Sequence, residues 1–179
     1  MRDSERDTDL LRKIAAEDKA AMQAFYTLHH DGLFAFLRGR GADGQLAADC
    51  VQDAMLDVWR TAKRFGGRSS VKTWLYTIAR NKLVDQQRKA TRISPVEEVP
   101  DVSDPAPNPE AVALAASDAE RVRACLAKLK PDHLTVMRLA FFEDLTYDDI
   151  SEIEGIPQGT VKTRIFHAKK LLMRCLGRR

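Results

Sequence analysis

The sequence predicts an all-α protein of two small helical domains joined by a flexible, acidic, proline-rich linker. In both halves of the 179-residue chain, apolar residues recur every three or four positions, which is typical of amphipathic helices. No β-branched run alternates with period two, and no Asn-Gly or Asp-Gly pair lies between strand-like runs. Five of the seven prolines lie between residues 93 and 110, where they interrupt any regular element.

The proline-rich segment divides the chain into predicted domains at 1–92 and 117–179, with a linker at 93–116. Residues 93–120 contain seven acidic residues and no Lys or Arg. Because these acids repel one another, we expect the linker to be extended and mobile. Each predicted domain is small for an independent core and therefore needs dense helix packing.

The first half predicts four helices, at residues 10–16, 20–37, 46–62 and about 69–92, separated by glycine-containing turns. The fourth helix has a predicted buried stripe at steps of three and four: Val71, Trp74, Leu75, Ile78, Ala79 and Leu83. Its other surface is expected to be exposed and carries Lys72, Thr73, Tyr76, Arg80, Asn81, Gln87 and Arg88. On this surface Tyr76 is the aromatic residue best placed to contact nucleic acid, whereas Trp74 belongs to the stripe.

The second half also predicts four helices, at 117–129, 131–142, 146–155 and 159–176. A capping box, Ser117 to Glu120, is expected to open the first helix, and Pro131 suits the first turn of the second. Thr146 and Asp149 resemble another capping box. The last two helices meet at a sharp turn at Gly155, so they predict a helix-turn-helix.

Candidate DNA contacts lie on the last helix, which contains no acidic residue. Its predicted apolar side, Val161, Ile165 and Ala168, faces the preceding helix, and its exposed side is rich in Lys, Arg and Thr. Such a helix can enter the major groove of DNA. A helical hairpin inside an ordinary bundle is the alternative, but it leaves the one-sided charge unexplained.

Charge is unevenly distributed along the chain, although the net value is only +3. Residues 60–92 carry +9, residues 93–120 carry −7 and residues 156–179 carry +7. Two basic segments separated by an acidic one favour two contacts with a polyanion. Solvated charged faces are the alternative interpretation.

Several function classes are excluded by the composition. No apolar run approaches the ~18 residues of a membrane-spanning helix, and the charged N-terminus does not resemble a secretory signal. The three cysteines, Cys50, Cys125 and Cys175, have neither disulfide-framework nor zinc spacing, so we expect reduced thiols in a cytoplasmic protein. Since no phosphate loop or activated nucleophile is present, we expect no enzymatic activity, no metal and no other cofactor.

Segments on both sides of the proline-rich linker resemble the extracytoplasmic-function (ECF) sigma factors of the sigma-70 family, the bacterial promoter-specificity subunits of RNA polymerase. Residues 48–59 (ADCVQDAMLDVW) are similar to the family's region 2.2, and residues 71–88 (VKTWLYTIARNKLVDQQR) to regions 2.3 and 2.4. Residues 147–151 (YDDIS) and 156–168 (IPQGTVKTRIFHA) are similar to region 4.2. The resemblance covers nearly the whole chain.

The resemblance implies three sets of site residues. Docking on the β′ clamp helices of the polymerase core is expected of the acidic helix that carries Asp49, Gln52, Asp53 and Trp59. Recognition and melting of the −10 element are expected of Arg68, Lys72, Tyr76, Arg80, Asn81 and Arg88. Recognition of the −35 element is expected of Lys162, Thr163, Arg164 and His167, where His167 occupies a position at which the family often has Arg.

The expected partners are therefore the RNA polymerase core, through its β′ clamp helices and β flap, promoter DNA and an anti-sigma factor that holds the two domains together. The linker would run towards the RNA-exit path. Two alternatives remain: a sigma-like decoy that binds an anti-sigma factor without engaging promoters, and a stand-alone helix-turn-helix repressor. The repressor would leave the first 92 residues without a role.

Overall fold

Eight α-helices form two packed domains in the computed structural model, which describes residues 2–93 and 113–177. Within these ranges every regular element is helical, which confirms the predicted fold class. The first domain contains α1 (Arg2–Ala15), α2 (Lys19–Gly39), α3 (Gly44–Thr61), a 3₁₀ turn (Ala62–Arg64) and α4 (Val71–Ile93). The second contains α5 (Ala113–Leu126), α6 (Pro131–Phe141), α7 (Tyr147–Glu154) and α8 (Gln158–Leu176). The predicted linker lies outside the described residues over positions 94–112.

The first domain is a bundle in which α2, α3 and α4 share a core with α1. Phe25, Leu33, Val51, Val58 and Leu75 are fully enclosed in this core. Side chains of aspartates begin two of the helices: the Asp18 carboxylate accepts from the backbone N–H groups of residues 20 and 21, and the Asp43 carboxylate accepts from residue 46. These caps satisfy amide groups that the first turn of a helix leaves unpaired.

Helix α1 starts at Arg2, eight residues before the predicted start. Polar contacts stabilise this additional N-terminal part of the helix. Asp9 pairs with both Arg12 and Lys13 at 2.7 Å, and the buried Asp7 lies 3.0 Å from Nε2 of His29 on α2. Apolar periodicity, which served for the prediction, does not detect such contacts. Helix α5 likewise starts at Ala113 rather than at Ser117, because residues 113–116 (ALAA) have high helix propensity.

The second domain contains the predicted helix-turn-helix. Ile150 and Ile153 of α7 and Val161 and Ile165 of α8 are buried, as expected from their spacing. At the start of α7, Thr146 and Asp149 form a reciprocal capping box. At its end, Gly155 adopts the left-handed conformation (φ 64°) that a sharp turn requires and that glycine adopts without strain.

The expectation of three reduced thiols is wrong. Cys125 on α5 and Cys175 on α8 form a disulfide, and Cys50 is a free, buried thiol. The two cysteines are separated by 50 residues in sequence, so only the packing of α5 against α8 brings them together. Burial and the neighbouring Asp53 and Asp49 carboxylates raise the pKa of the Cys50 thiol, which keeps it protonated and unreactive.

We expect reduction of the disulfide to lower the free energy of unfolding of the second domain by about 2–4 kcal/mol, because it restores conformational freedom to a long loop of the unfolded chain. Denaturant unfolding with and without reductant measures this difference, and Cys125→Ser/Cys175→Ser should make stability insensitive to reductant. Cys50→Ser is the control: it removes the thiol outside the disulfide, so the stability of this variant should still depend on reductant. Thiol titration in non-reducing denaturant should find a single free thiol per chain; three would contradict the pairing.

Candidate nucleic-acid interface

The exposed side of α8 forms one part of the candidate interface. Val161, Ile165 and Ala168 are buried, which directs Lys162, Thr163 and His167 to the surface. These three residues therefore occupy a common exposed surface, as the sequence predicts. The Thr163 hydroxyl donates to the Gly159 carbonyl at 2.9 Å.

Arg164 differs from the other three −35 candidates. Its guanidinium forms an ion pair with Asp132 of α6 at 2.8 Å, and its side chain is only 22% exposed. The pair holds the arginine against the body of the domain. A base contact by Arg164 would require this pair to separate, whereas Lys162, Thr163 and His167 are accessible as they stand.

Phe166 is an exposed aromatic residue that the sequence reasoning missed. It is 62% exposed and lies on the same side of α8 as Thr163, one residue before His167. The sequence does indicate this exposure, because Phe166 falls outside the apolar stripe of residues 161, 165 and 168. An apolar side chain on the exposed face of this helix can contact the thymine methyl group in the major groove.

The N-terminal half of α4 is covered by the second domain. Lys72 pairs with the Glu143 carboxylate and donates to its carbonyl, each at 2.8 Å. The Thr73 hydroxyl donates to Asp149 at 2.7 Å, and Arg80 donates to the Glu154 carbonyl at 3.2 Å. The predicted −10 residues Lys72 and Arg80 therefore contact protein in this arrangement.

A further ion pair joins α2 to α7 at the same surface. One nitrogen of Arg40 donates to both oxygens of the buried Glu154 carboxylate at 2.7 and 2.6 Å. Nearby, Arg138 of α6 donates to the Ala35 carbonyl of α2 at 3.0 Å. We call the contacts of Arg40, Lys72, Thr73 and Arg80 with Glu143, Asp149 and Glu154 the domain interface.

The expectation that Tyr76 is exposed is wrong. Tyr76 is fully buried and packs against the ring of Phe36 at a centroid distance of 5.2 Å. Burial and the neighbouring Glu143 carboxylate raise the pKa of its hydroxyl. The sequence reasoning treated α4 as the surface of a separate domain, whereas the second domain covers Tyr76 and Thr73. The role of Tyr76 in DNA binding remains a prediction.

The other −10 candidates are accessible. Arg68 lies in the loop before α4, and Asn81 and Arg88 lie further along α4; all three are exposed. Trp74 is half-buried against the core and contacts Phe65 at a centroid distance of 5.1 Å. This contact agrees with its predicted place in the apolar stripe.

The predicted polymerase-docking residues lie on α3 at the edge of an apolar groove. Asp49 and Gln52 are exposed, while Asp53 and Trp59 are half-buried. Gln52 and Trp59 line the groove, which has a volume of about 450 Å³. We call it the α2–α3 groove; its lining residues are Lys19, Met22, Gln23, Tyr26, Gln52, Met55, Leu56 and Trp59.

Sequence reasoning identified the acidic side of α3 but missed the apolar groove beside it. Leu56 is 43% exposed and Tyr26 is 37% exposed, which makes the groove a surface where a partner helix can bury apolar area. Half of the residues that line the groove belong to α2. The groove therefore becomes visible only when α2 and α3 are considered as a packed pair.

Two further observations concern other kinds of site. Among residues 2–93 and 113–177, no group of three His, Cys, Asp or Glu side chains is arranged to hold a metal ion. No helix in the same ranges is long and apolar enough to cross a membrane.

The chain matches two family models, one for each domain. The model for sigma-70 region 2 matches residues 25–93, and the model for sigma-70 region 4 matches residues 119–172. Together they cover more than half of the chain.

Relatives and solved structures agree with these matches. The chain is 33% identical over 149 residues to the ECF RNA polymerase sigma factor RpoE of Cereibacter sphaeroides, covering 83% of this chain and 82% of that protein. It is 30% identical over 180 residues to the ECF RNA polymerase sigma factor SigK of Mycobacterium bovis, covering 93% and 91%. It also resembles the sigma factor RpoE from Bartonella quintana in complex with the anti-sigma factor NepR (TM-score 0.64, 26% identity, 87% of this chain and 96% of that chain).

We expect Glu143→Gln/Glu154→Gln to separate the two domains in solution, because it removes both carboxylate partners of the interface cations Lys72 and Arg40. Removing one partner of a buried ion pair costs about 3–5 kcal/mol. Small-angle X-ray scattering should show a larger radius of gyration than for the unaltered chain. Asp144→Asn/Glu152→Gln is the matched control, since both residues are exposed. A radius of gyration equal in all three proteins would contradict the importance of these ion pairs.

Proposed function

The chain belongs to the ECF sigma factors of the sigma-70 family, and we propose that it directs the RNA polymerase core to specific promoters, recognises their −35 and −10 elements and melts the DNA. The observation that carries the proposal is the presence of two basic surfaces on two domains that match regions 2 and 4 of this family. A helix-turn-helix repressor would have no use for the first domain.

The second domain supplies the −35 contacts in this proposal. Helix α8 enters the major groove with Lys162, Thr163 and His167 towards the bases, and Phe166 beside them provides an apolar contact. Lys donates hydrogen bonds to guanine, and Thr contacts a base or a phosphate. Arg164 acts as a DNA contact only after release from Asp132; otherwise it positions α8 against α6.

The first domain supplies the −10 contacts. Arg68, Asn81 and Arg88 are exposed and basic or polar, which suits them to hold the phosphate backbone and unstacked bases of a melted strand. Lys72 and Arg80 join them once the second domain has moved away. The closed arrangement therefore represents a state in which the −10 surface is partly occupied by protein, and promoter recognition requires the domain interface to open.

The α2–α3 groove is the proposed docking site for the β′ clamp helices. An apolar groove flanked by the exposed Asp49 and the half-buried Asp53 offers burial to an amphipathic helix and attraction to basic residues at its edge. The second domain is proposed to contact the β flap.

An anti-sigma factor is the proposed regulator. The Bartonella quintana relative was crystallised with such a partner, and a protein that stabilises the closed arrangement would keep Lys72 and Arg80 away from DNA. The decoy alternative has no support among the relatives, which are sigma factors themselves.

We expect the purified chain, added to core polymerase, to produce promoter-specific run-off transcripts from a library of promoter templates. Circular dichroism should verify that the protein is folded. The same reactions without the chain are the control for background initiation. If the folded chain forms a complex with core polymerase but yields no specific transcript from any template, the proposed function is wrong.

We expect Leu56→Lys to weaken binding to core polymerase at least about tenfold, a loss of about 1.4 kcal/mol, because it places a charge in the apolar groove. Leu28→Lys is the matched control, since Leu28 is exposed to a similar extent (37%) and does not line the groove. Fluorescence anisotropy of labelled chain against core polymerase measures both affinities. Equal affinities for the two variants would remove the groove as the docking site.

A further inference from the structure

Gly32 lies in the interior of α2, where a glycine is normally unfavourable. Helix α2 continues through it from Lys19 to Gly39, and its backbone does not adopt the positive φ that would favour glycine. Because alanine stabilises a helix interior relative to glycine, the helix itself gives no reason for this residue. The reason therefore lies in what approaches Gly32 from outside α2.

Two other segments occupy the space that a side chain at position 32 would need. A Cβ atom there would lie 2.6 Å from the Tyr76 hydroxyl oxygen, and 2.8 and 3.1 Å from the two carboxylate oxygens of Glu143. The two shorter distances are well below ordinary van der Waals contact. The missing side chain of Gly32 thus leaves a notch between α2 and α4, which Glu143 of the second domain enters.

The notch suits a carboxylate. Lys72 pairs with the Glu143 carboxylate at 2.8 Å. The Tyr76 hydroxyl is buried, and among the described residues no backbone group or other side chain accepts a hydrogen bond from it, which leaves the Glu143 carboxylate as the acceptor beside it. Burial and this carboxylate raise the pKa of the hydroxyl, so the phenol keeps the proton that it can donate. We call Gly32, Lys72 and Tyr76 the Gly32 notch.

The second domain presents Glu143 on a turn with an unfavourable backbone conformation. Glu143 follows α6, and its backbone N–H donates to the Arg138 carbonyl at 3.2 Å. The next residue, Asp144, has a φ of 53°, in the left-handed region that costs conformational energy for a residue with a side chain. The Glu143 carbonyl also accepts from Lys72. Both the backbone and the side chain of Glu143 are therefore held against α4.

We propose that Gly32 determines whether the two domains can close: the absence of its side chain creates a carboxylate-binding notch in the first domain, and Glu143 of the second domain fills it. The free chain then closes on itself without a partner. This inference goes beyond the proposed function, in which an anti-sigma factor stabilises the closed arrangement, because it assigns closure to the chain's own residues. A side chain at position 32 would push the Glu143 carboxylate out of its pairing with Lys72, which is unfavourable for two partly buried charges.

The test uses the full chain with no DNA, polymerase or other partner. An amine-selective acylating reagent is added at low concentration, and mass spectrometry measures the rate at which each lysine reacts. Glu143 protects Lys72 in the closed arrangement, whereas opening makes Lys72 accessible. We expect Gly32→Leu to raise the acylation rate of Lys72 several-fold, towards the rate in Glu143→Ala, which gives the value without the carboxylate. An unchanged Lys72 rate would overturn the proposal.

Gly44→Leu is the matched control, because Gly44 also lies in a helix of the first domain and its Cβ would meet no atom within 4 Å. Lys82 is the internal reference. It pairs with Asp57 of the same domain at 2.6 Å, and its side chain is 30% exposed, compared with 26% for Lys72. Opening of the domains should leave the Lys82 rate unchanged, whereas disruption of the first domain would raise both rates.

If Gly32→Leu raises both rates, a comparison of Gly32→Ala/Tyr76→Phe with Tyr76→Phe decides the question. Removal of the Tyr76 hydroxyl makes room within the first domain, so the added methyl group crowds Glu143 and not Tyr76. A higher Lys72 rate in the double variant, with an equal Lys82 rate, would support the notch, and equal rates for both lysines would overturn it. Since no promoter or polymerase is present, neither result depends on whether the chain supports transcription.

Discussion

The ion pair between Arg40 and Glu154 is the interaction on which the arrangement of the two domains depends. Glu154 lies at the end of α7, where its carboxylate is buried and accepts two hydrogen bonds from Arg40 on α2. A buried charge without a partner is strongly unfavourable, so burial of Glu154 in the closed arrangement requires its pairing with Arg40. The Glu154 carbonyl also accepts from Arg80, and the same residue thereby ties α7 to both α2 and α4.

The domain interface places the Glu143 carboxylate and the Glu154 carbonyl where the proposal requires DNA phosphates. Lys72 and Arg80 belong to the segment with a charge of +9. In the closed arrangement Lys72 pairs with the Glu143 carboxylate, and Arg80 donates to the backbone carbonyl of Glu154. Promoter DNA and the second domain then compete for one surface of α4. A ligand that binds only the open form shifts the population towards it by its differential affinity, and a partner that binds only the closed form opposes it. The modest net charge of +3 fits a protein whose basic surfaces are partly neutralised internally until polymerase and DNA displace the acids.

Local properties of the fold could be predicted from the sequence, and contacts between distant segments could not. Periodicity identified the buried residues of α7 and α8, and the spacing of Thr146 and Asp149 identified their capping box, because these features depend on neighbours along the chain. Tyr76 was expected to be exposed because its sequence neighbours do not show that Phe36 of α2 and Glu143, in the loop after α6, lie beside it. The Cys125–Cys175 disulfide, the Arg164–Asp132 pair and the α2–α3 groove likewise depend on helix packing that one sequence does not specify.

Promoter DNA and the second domain compete for the same surface of α4 in the proposed function. The most direct test is the distance between the domains, measured by fluorescence energy transfer between dyes on exposed positions of α1 and α5 in the free chain and in its complex with core polymerase and promoter DNA. We expect high transfer in the free chain and low transfer in the complex. High transfer that persists in a complex actively making transcripts would contradict it.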